Sequence, residues 1–449
     1  MASYSRPVVT TEHGVPAVAA AGGAPASRPA AAWRTRLGEA AFPLGVFAVV
    51  AVVLYAVAEI AFTGWRPPIP GHGFPDYRGF EAFTRWDSDW YLRIARIGYY
   101  YDGPHKQSAV NFFPGYPAMI RLVRTVLRNY IVAGVVVTYL SGAAAVVLLH
   151  RWCSGAFGSR AAKMAVLLLA LYPFAFYLFG TVYSDALFLA AALGAFVLLE
   201  ADHPWLAGAV GALAVATRPA GPAVVIGLTI RALELRGVLG GAPGHFLRGG
   251  EPAAAGHRTP FFPRLRLRRL NWRDAGVLLS VLGLVAFCLL LWHDFREPFA
   301  FAKVSGVEGW GRRWDAHTLL KIDFYDRLQG TPHFGFIHIY LGAQALFTVI
   351  GVALIPLVIR RLGWGYGAYT ATAILMPAIP SANFLGMGRY ILAAFPCFAV
   401  VAAALAGGLT PGKTRRPRIR VRAGAAWLAI SGALLGFMMT LYARWWFIT

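Results

Sequence analysis

The sequence predicts an all-α polytopic membrane protein, and three observations carry that prediction. Hydrophobic residues fill 58% of the 449 positions and charged residues only 14%, against about 25% charged in a soluble domain. The apolar residues come in runs, many long enough to cross a bilayer. The formal charge of +22, from 42 Lys and Arg against 20 acids, is unevenly shared between alternate loops. Together they exclude an ordinary soluble enzyme, a disordered chain and a secreted disulfide scaffold. So basic a balance elsewhere points to nucleic acid, but basic cytoplasmic loops explain it here, and no nucleic-acid partner is expected. Cys153, Cys288 and Cys397 lie far apart, in or beside apolar runs, with no CxxC. They offer neither a disulfide framework nor a zinc motif.

Residues 1–40 are rich in Ala, Pro, Gly and Ser, show no hydrophobic period, and read as a disordered cytoplasmic tail. Residues 41–449 read as a single transmembrane domain. Its first apolar run, Phe42 to Phe62, is too long for a signal-peptide core and reads as a helix, not a cleaved leader. A polar and aromatic loop follows at 64–130. Further apolar runs at about 131–150, 164–180, 183–199, 205–216, 220–232, 275–293, 339–359, 364–380, 390–407 and 424–443 bring the expected total to eleven segments. Two of these, 205–216 and 220–232, are short and divided by Arg218-Pro219. They form either a hairpin or one kinked span.

Orientation follows from the loops. The set containing 1–40, the stretch 231–274 with the basic loop 233–274, and 408–423 holds 24 Lys and Arg against 7 acids. The set containing 64–130 and 294–338 holds 18 against 12. The bias places the N-terminus in the cytoplasm and the second set outside. The runs Arg264 to Arg269 and Lys413 to Arg418 then touch anionic lipid headgroups.

The outer loop 64–130 carries five acids: Asp76, Glu81, Asp87, Asp89 and Asp102. Within it, Trp86, Trp90, Ile94 and Ile97 recur at helical spacing and predict an amphipathic helix lying in the membrane interface, ended by Gly98. Asp89 sits four residues before Arg93, a favourable ion-pair spacing. Asp87 has no such basic partner within its helix, so it is the first candidate for a general base and Asp89 the second. Two prolines and a glycine in Phe112-Phe113-Pro114-Gly115-Tyr116-Pro117 predict a rigid turn. After it, Arg121, Arg124 and Arg128 recur at helical spacing and predict a second surface helix facing phosphate headgroups. Arg218 and Arg389 stand at the outer ends of apolar runs, where a guanidinium suits a lipid-linked phosphate. In 294–338, Trp310 and Arg312-Arg313-Trp314 suit a sugar and phosphate surface as well as an interfacial belt. His333 and His338 are five apart, which is no helical metal pair. No metal ligands are assigned, and a divalent cation is left open.

These motifs resemble the GPI mannosyltransferase II (PIG-V) family. Trp86-Asp87, Ala95-Arg96-Ile97-Gly98-Tyr99 and Phe112 to Pro117 resemble its first outer loop. Tyr183-Ser184-Asp185-Ala186-Leu187-Phe188, Ala216-Thr217-Arg218-Pro219-Ala220-Gly221 and Gly388-Arg389-Tyr390 follow in order. The resemblance implies a GT-C type fold and transfer of mannose from a polyprenyl-phosphate carrier to a lipid or glycan acceptor. It implies an active site facing the exterior of a bacterial cell membrane, with Asp87 essential. In that scheme Asp87 and Asp89 are the catalytic candidates, and Arg218 and Arg389 hold the donor phosphate. Trp86, Tyr91, Tyr116, Ser184 and Asp185 contact substrate. The expected partners are the lipid-phosphate sugar, the acceptor and membrane lipids. The alternative is a transporter or lipid flippase, which needs ionisable residues near the midplane. Of the acids only Glu59 and Asp185 lie inside apolar runs, each near a run's end, so the acids favour chemistry at the surface.

Overall fold

The computed structural model describes residues 29–63, 79–248, 252–269, 271–307, 310, 312, 315–330, 336–407 and 417–444. Among these the structure is helical, with no strand beyond one isolated bridge, Leu239 to Leu265. The helices run α1 Pro29–Thr63, α2 Ser88–Ile97, α3 Gly115–Leu127, α4 Tyr130–Phe157, α5 Ser159–Ala170, α6 Asp185–Glu200, α7 Pro204–Val215 and α8 Pro222–Leu235. They continue with α9 Leu282–Phe295, α10 Ala300–Val304, α11 Ala316–Leu319, α12 Ile322–Gln329, α13 Phe336–Leu362, α14 Trp364–Ala378, α15 Met387–Ala393, α16 Phe395–Leu405 and α17 Pro417–Ala443. A 3-10 stretch, Trp272–Val281, leads into α9. Ala40–Thr449 forms one compact unit, and Met1–Glu39 is assigned to another.

Every expected apolar run is helical over most of its length, but the helices differ in reach. Among the described residues five are long and apolar enough to cross a membrane, or six if the pair α15 and α16, bent by 73°, counts as one span. The remaining runs give helices of 12 to 16 residues. The run 205–232 resolves into a hairpin, α7 and α8, each helix opening on a proline, where a missing N–H costs nothing. Close packing of such apolar helices depends on small side chains. A Cβ on Gly208 of α7 would fall 1.9 Å from the carbonyl oxygen of Gly276, so only glycine lets these backbones meet.

Several boundaries depart from the sequence expectation. Residues 1–28 of the expected tail lie outside the described residues, and α1 begins at Pro29, ahead of the apolar run. Positions 64–78, with Asp76, and 331–335, with His333, also lie outside them, as do Arg313, Trp314 and Lys413 to Arg416. The surface stripe of α2 is largely a core face. Ile94 is buried, and Trp90 stacks on Phe112 with centroids 5.4 Å apart and meets Trp310 edge-on at 5.8 Å. Of the stripe, Ile97 is exposed. The covering surface comes from residues distant in sequence, which periodicity alone does not reveal. Arg121 of α3, expected to face headgroups, is exposed and also folds back on α2. Its Nε donates to the Ala95 carbonyl at 2.7 Å and its Nη2 to that of Ile94 at 3.0 Å. At the end of α2, where Gly98 at φ +92° stops the helix, the Ile94 carbonyl accepts from the Gly98 N–H as well as from Arg121.

Candidate active site

Four separate stretches of sequence converge on one cluster. Asp87 precedes the first turn of α2 and does not cap it with its side chain. Its Oδ2 accepts from Arg389 Nη1 at 2.9 Å, with 20% of the Asp87 side chain and 13% of the Arg389 side chain exposed. The carboxylate left without a basic partner by its own helix is therefore paired across the fold, by α15. The Asp87 N–H donates to the Tyr183 hydroxyl at 3.1 Å, and that hydroxyl donates to the Arg85 carbonyl at 3.2 Å. The Tyr183 ring also lies 5.3 Å from the Arg389 guanidinium, within cation–π range. Trp86, just before Asp87, holds φ +55°. A non-glycine residue in that region is strained by about 1–2 kcal/mol, and such strain concentrates at functional sites.

Arg218 forms the second pair, with Asp185 in the first turn of α6. Both are buried, with side chains only 4% and 2% exposed. Its guanidinium lies 4.6 Å from the Tyr390 ring centroid. The position of Arg218 depends on packing between two motifs far apart in sequence. The Gly115 N–H donates to the Ala216 carbonyl at 2.7 Å. A Cβ on Gly115 would fall 2.9 Å from that oxygen and 2.9 Å from Thr217 Cγ2. Glycine thus seats the turn 112–117 directly against 216–217. On the other side, Gln344, buried in α13, accepts from the Gly388 N–H at 2.7 Å and fixes the start of α15.

Of the remaining expected site residues, Tyr91, Tyr116 and Ser184 are buried. Tyr91 is buried, its hydroxyl 2.9 Å from Ser184 Oγ, and burial raises its phenol well above the usual range. Tyr116 is fully buried and bonded to Thr138 at 2.7 Å and the Gly134 carbonyl at 3.0 Å. It forms part of the core. Ser184 is buried as well. Asp89 lies in the first turn of α2, and the Tyr100 phenol is raised by burial first and by Asp102 and Asp89 after it. Trp86 is half-buried. Burial pulls the Arg85 guanidinium down to about 10.

Sequence reasoning quoted Tyr183 and Tyr390 in motifs without giving them a role, and did not single out Gln344 or Tyr442. The Tyr442 hydroxyl accepts from the Arg85 N–H at 3.1 Å, tying α17 to the same loop. Gln344 gave one usable signal, a lone amide in an apolar run. Tyr442 gave none. Among the described residues, His317, Asp323 and Asp326 have ligand atoms within 4.8 Å of one another and could hold a cation.

Residues 76–230 match the model of a family described as mannosyltransferase (PIG-V). Over that stretch the chain is PIG-V-like. The match contains Asp87, the turn 112–117, Asp185 and Arg218, while Arg389 lies beyond it. No curated protein matches the sequence. Similar solved structures include the Archaeoglobus fulgidus oligosaccharyltransferase tethered with an acceptor peptide, at 14% identity and TM-score 0.43, covering 91% of this chain and 56% of that one. They also include ArnT from Cupriavidus metallidurans bound to undecaprenyl phosphate, at 15% identity and TM-score 0.45, covering 90% of this chain and 76% of that one. The PIG-V-like chain thus spans just over half the length of the archaeal protein.

Proposed function

We propose that this PIG-V-like chain is a GT-C type mannosyltransferase using a polyprenyl-phosphate-mannose donor, with Asp87 as general base. The observation that carries this reading is the partly buried Asp87–Arg389 pair, whose Asp87 adjoins the strained Trp86 in the stretch that matches the mannosyltransferase family. Asp87 removes the proton of an acceptor hydroxyl. That oxygen attacks the anomeric carbon from the face opposite the phosphate, the bond from that carbon to the phosphate oxygen breaks, and the electron pair leaves with the phosphate. The configuration inverts. The leaving group is already a phosphate, so it needs cations and not a proton donor. Arg389 serves two ends here, orienting Asp87 and lending positive charge near the leaving group. The loop bias in Lys and Arg supports a site on the outer face of a bacterial cell membrane, with a lipid-linked or cell-envelope acceptor.

Asp87→Asn keeps the shape and removes the base. Membranes supplied with radiolabelled polyprenyl-phosphate-mannose should show transfer to a glycosylated product reduced by about 10²–10⁴-fold. Unchanged transfer in that variant would overturn the assignment of Asp87. A chain that moves label across the membrane without forming any product would instead be a flippase.

A further inference from the structure

We infer that Arg312 and Tyr390 form the subsite for the phosphate of the lipid-linked donor, an inference that rests on the function proposed above. Three guanidinium groups surround the Tyr390 ring. Arg218, Arg312 and Arg389 lie 4.6, 5.7 and 5.9 Å from its centroid. Two of the three are matched by carboxylates, Arg218 by Asp185 and Arg389 by Asp87. Among the described residues Arg312 pairs with no carboxylate, and its Nη2 donates to the Tyr390 hydroxyl at 2.5 Å. The ring therefore sits beside one positive charge more than the neighbouring acids balance. An anion completes that balance, and the phosphodiester of a lipid-linked sugar carries one negative charge.

Arg312 also has the better access. It is half-buried, whereas Arg218 is closed in with Asp185. A phosphate on Arg218 would strip a buried carboxylate of its counter-charge, a costly exchange where water is scarce. Arg312 spends one N–H on Tyr390 and keeps further donors of its planar fork for two phosphate oxygens. Its backbone is held in place: its N–H donates to the Ser305 carbonyl at 3.2 Å. Two residues earlier, Trp310 seats the segment edge-on against Trp90 at 5.8 Å and Phe112 at 5.9 Å. The loop is thus docked on the aromatic floor of the Asp87 loop, with its arginine reaching the ring beside Arg389.

The test measures binding without turnover, on the full chain in detergent, with undecaprenyl phosphate, uncharged undecaprenol and inorganic phosphate as probes. Wild type should prefer undecaprenyl phosphate to undecaprenol. Arg312→Gln should weaken undecaprenyl phosphate at least tenfold and leave undecaprenol unchanged. If that variant does not fold, Arg312→Lys decides: it keeps the charge, loses the fork, and should weaken undecaprenyl phosphate several-fold. Undiminished binding in the folded variants overturns the subsite while leaving the proposed function standing. Wild type that binds both lipids equally overturns the lipid-phosphate donor and the subsite together. Inorganic phosphate that competes on equal terms with the lipid overturns the assignment to a lipid headgroup.

Discussion

At one end of α6 Asp185 meets Arg218 beside the Asp87–Arg389 pair, and at the other end Glu200 meets Arg231. The two ends stand about 22 Å apart at 1.5 Å per residue. Both arginines come from the hairpin side, one just before α8 and one within it, so α6 and α8 are fastened twice. The surroundings differ. Arg231 is fully buried, and every arm is bonded: Nε to Glu200 at 2.8 Å, Nη1 to the Pro243 carbonyl at 2.9 Å, Nη2 to that of Gly244 at 2.8 Å. Glu200 also accepts from the Tyr366 hydroxyl at 2.8 Å and the Phe246 N–H at 2.9 Å. Glu234, the second acid there, accepts from the N–H groups of Trp364 and Gly365 at the start of α14, where the helix dipole favours negative charge. That cluster is closed and complete. The Asp87 cluster is partly buried, and among the described residues its Arg312 pairs with no acid. The contrast separates a closed buried network that holds helices together from a less enclosed one with an unmatched arginine.

The largest expected effect tests that separation directly. Glu200→Ala leaves Arg231 short of its main counter-charge and should cost about 3–5 kcal/mol of stability, read as a lower melting temperature in detergent. Transfer per folded molecule should not change. Asp87→Asn should do the reverse, with transfer lost and a smaller fall in melting temperature, because the Asn amide oxygen keeps a hydrogen bond from Arg389. If Glu200→Ala abolished transfer in molecules that remained folded, the two clusters would not be separable.

A smaller effect is expected at the contact between motifs. Gly115→Ala forces a Cβ against Ala216 and Thr217, at 2.9 Å from each, and overpacking of that kind costs about 1–3 kcal/mol. The displaced residues adjoin Arg218, so transfer should fall further than stability alone accounts for, roughly tenfold to a hundredfold. Loss of melting temperature with full transfer would show that the Arg218 position tolerates movement.

The all-α class was legible because apolar runs report helices whatever they pack against. The reach of those helices was less so, since a run of given length becomes a span, half of a hairpin or a bent pair according to its tertiary neighbours. Asp87 was legible as the conspicuous acid in its loop, but its pairing with Arg389 was not, because 302 positions separate them. Spacing rules see only partners on the same helix. The same limit hid the bonds from Arg121 to the end of α2, a different helix. Glu200, Glu234 and Arg231 read as ordinary loop charges, since nothing in the sequence shows that Phe246 and Tyr366 will close over them.

The smallest effect probes the edge of the closed cluster. Trp152 Nε1 donates to the Tyr366 hydroxyl at 2.7 Å, and that hydroxyl donates on to Glu200. Trp152→Phe keeps a ring in place and removes the donor, while the phenol keeps its bond to Glu200. The lost hydrogen bond should cost about 0.5–1.5 kcal/mol, with some further loss from the smaller ring. Transfer should stay at the wild-type rate, because the acid that matters for folding keeps both its tyrosine and its arginine. Activity falling more than melting temperature in this variant would mean that α6 carries a disturbance from one end to the other, and the two clusters would then have to be treated as one coupled system.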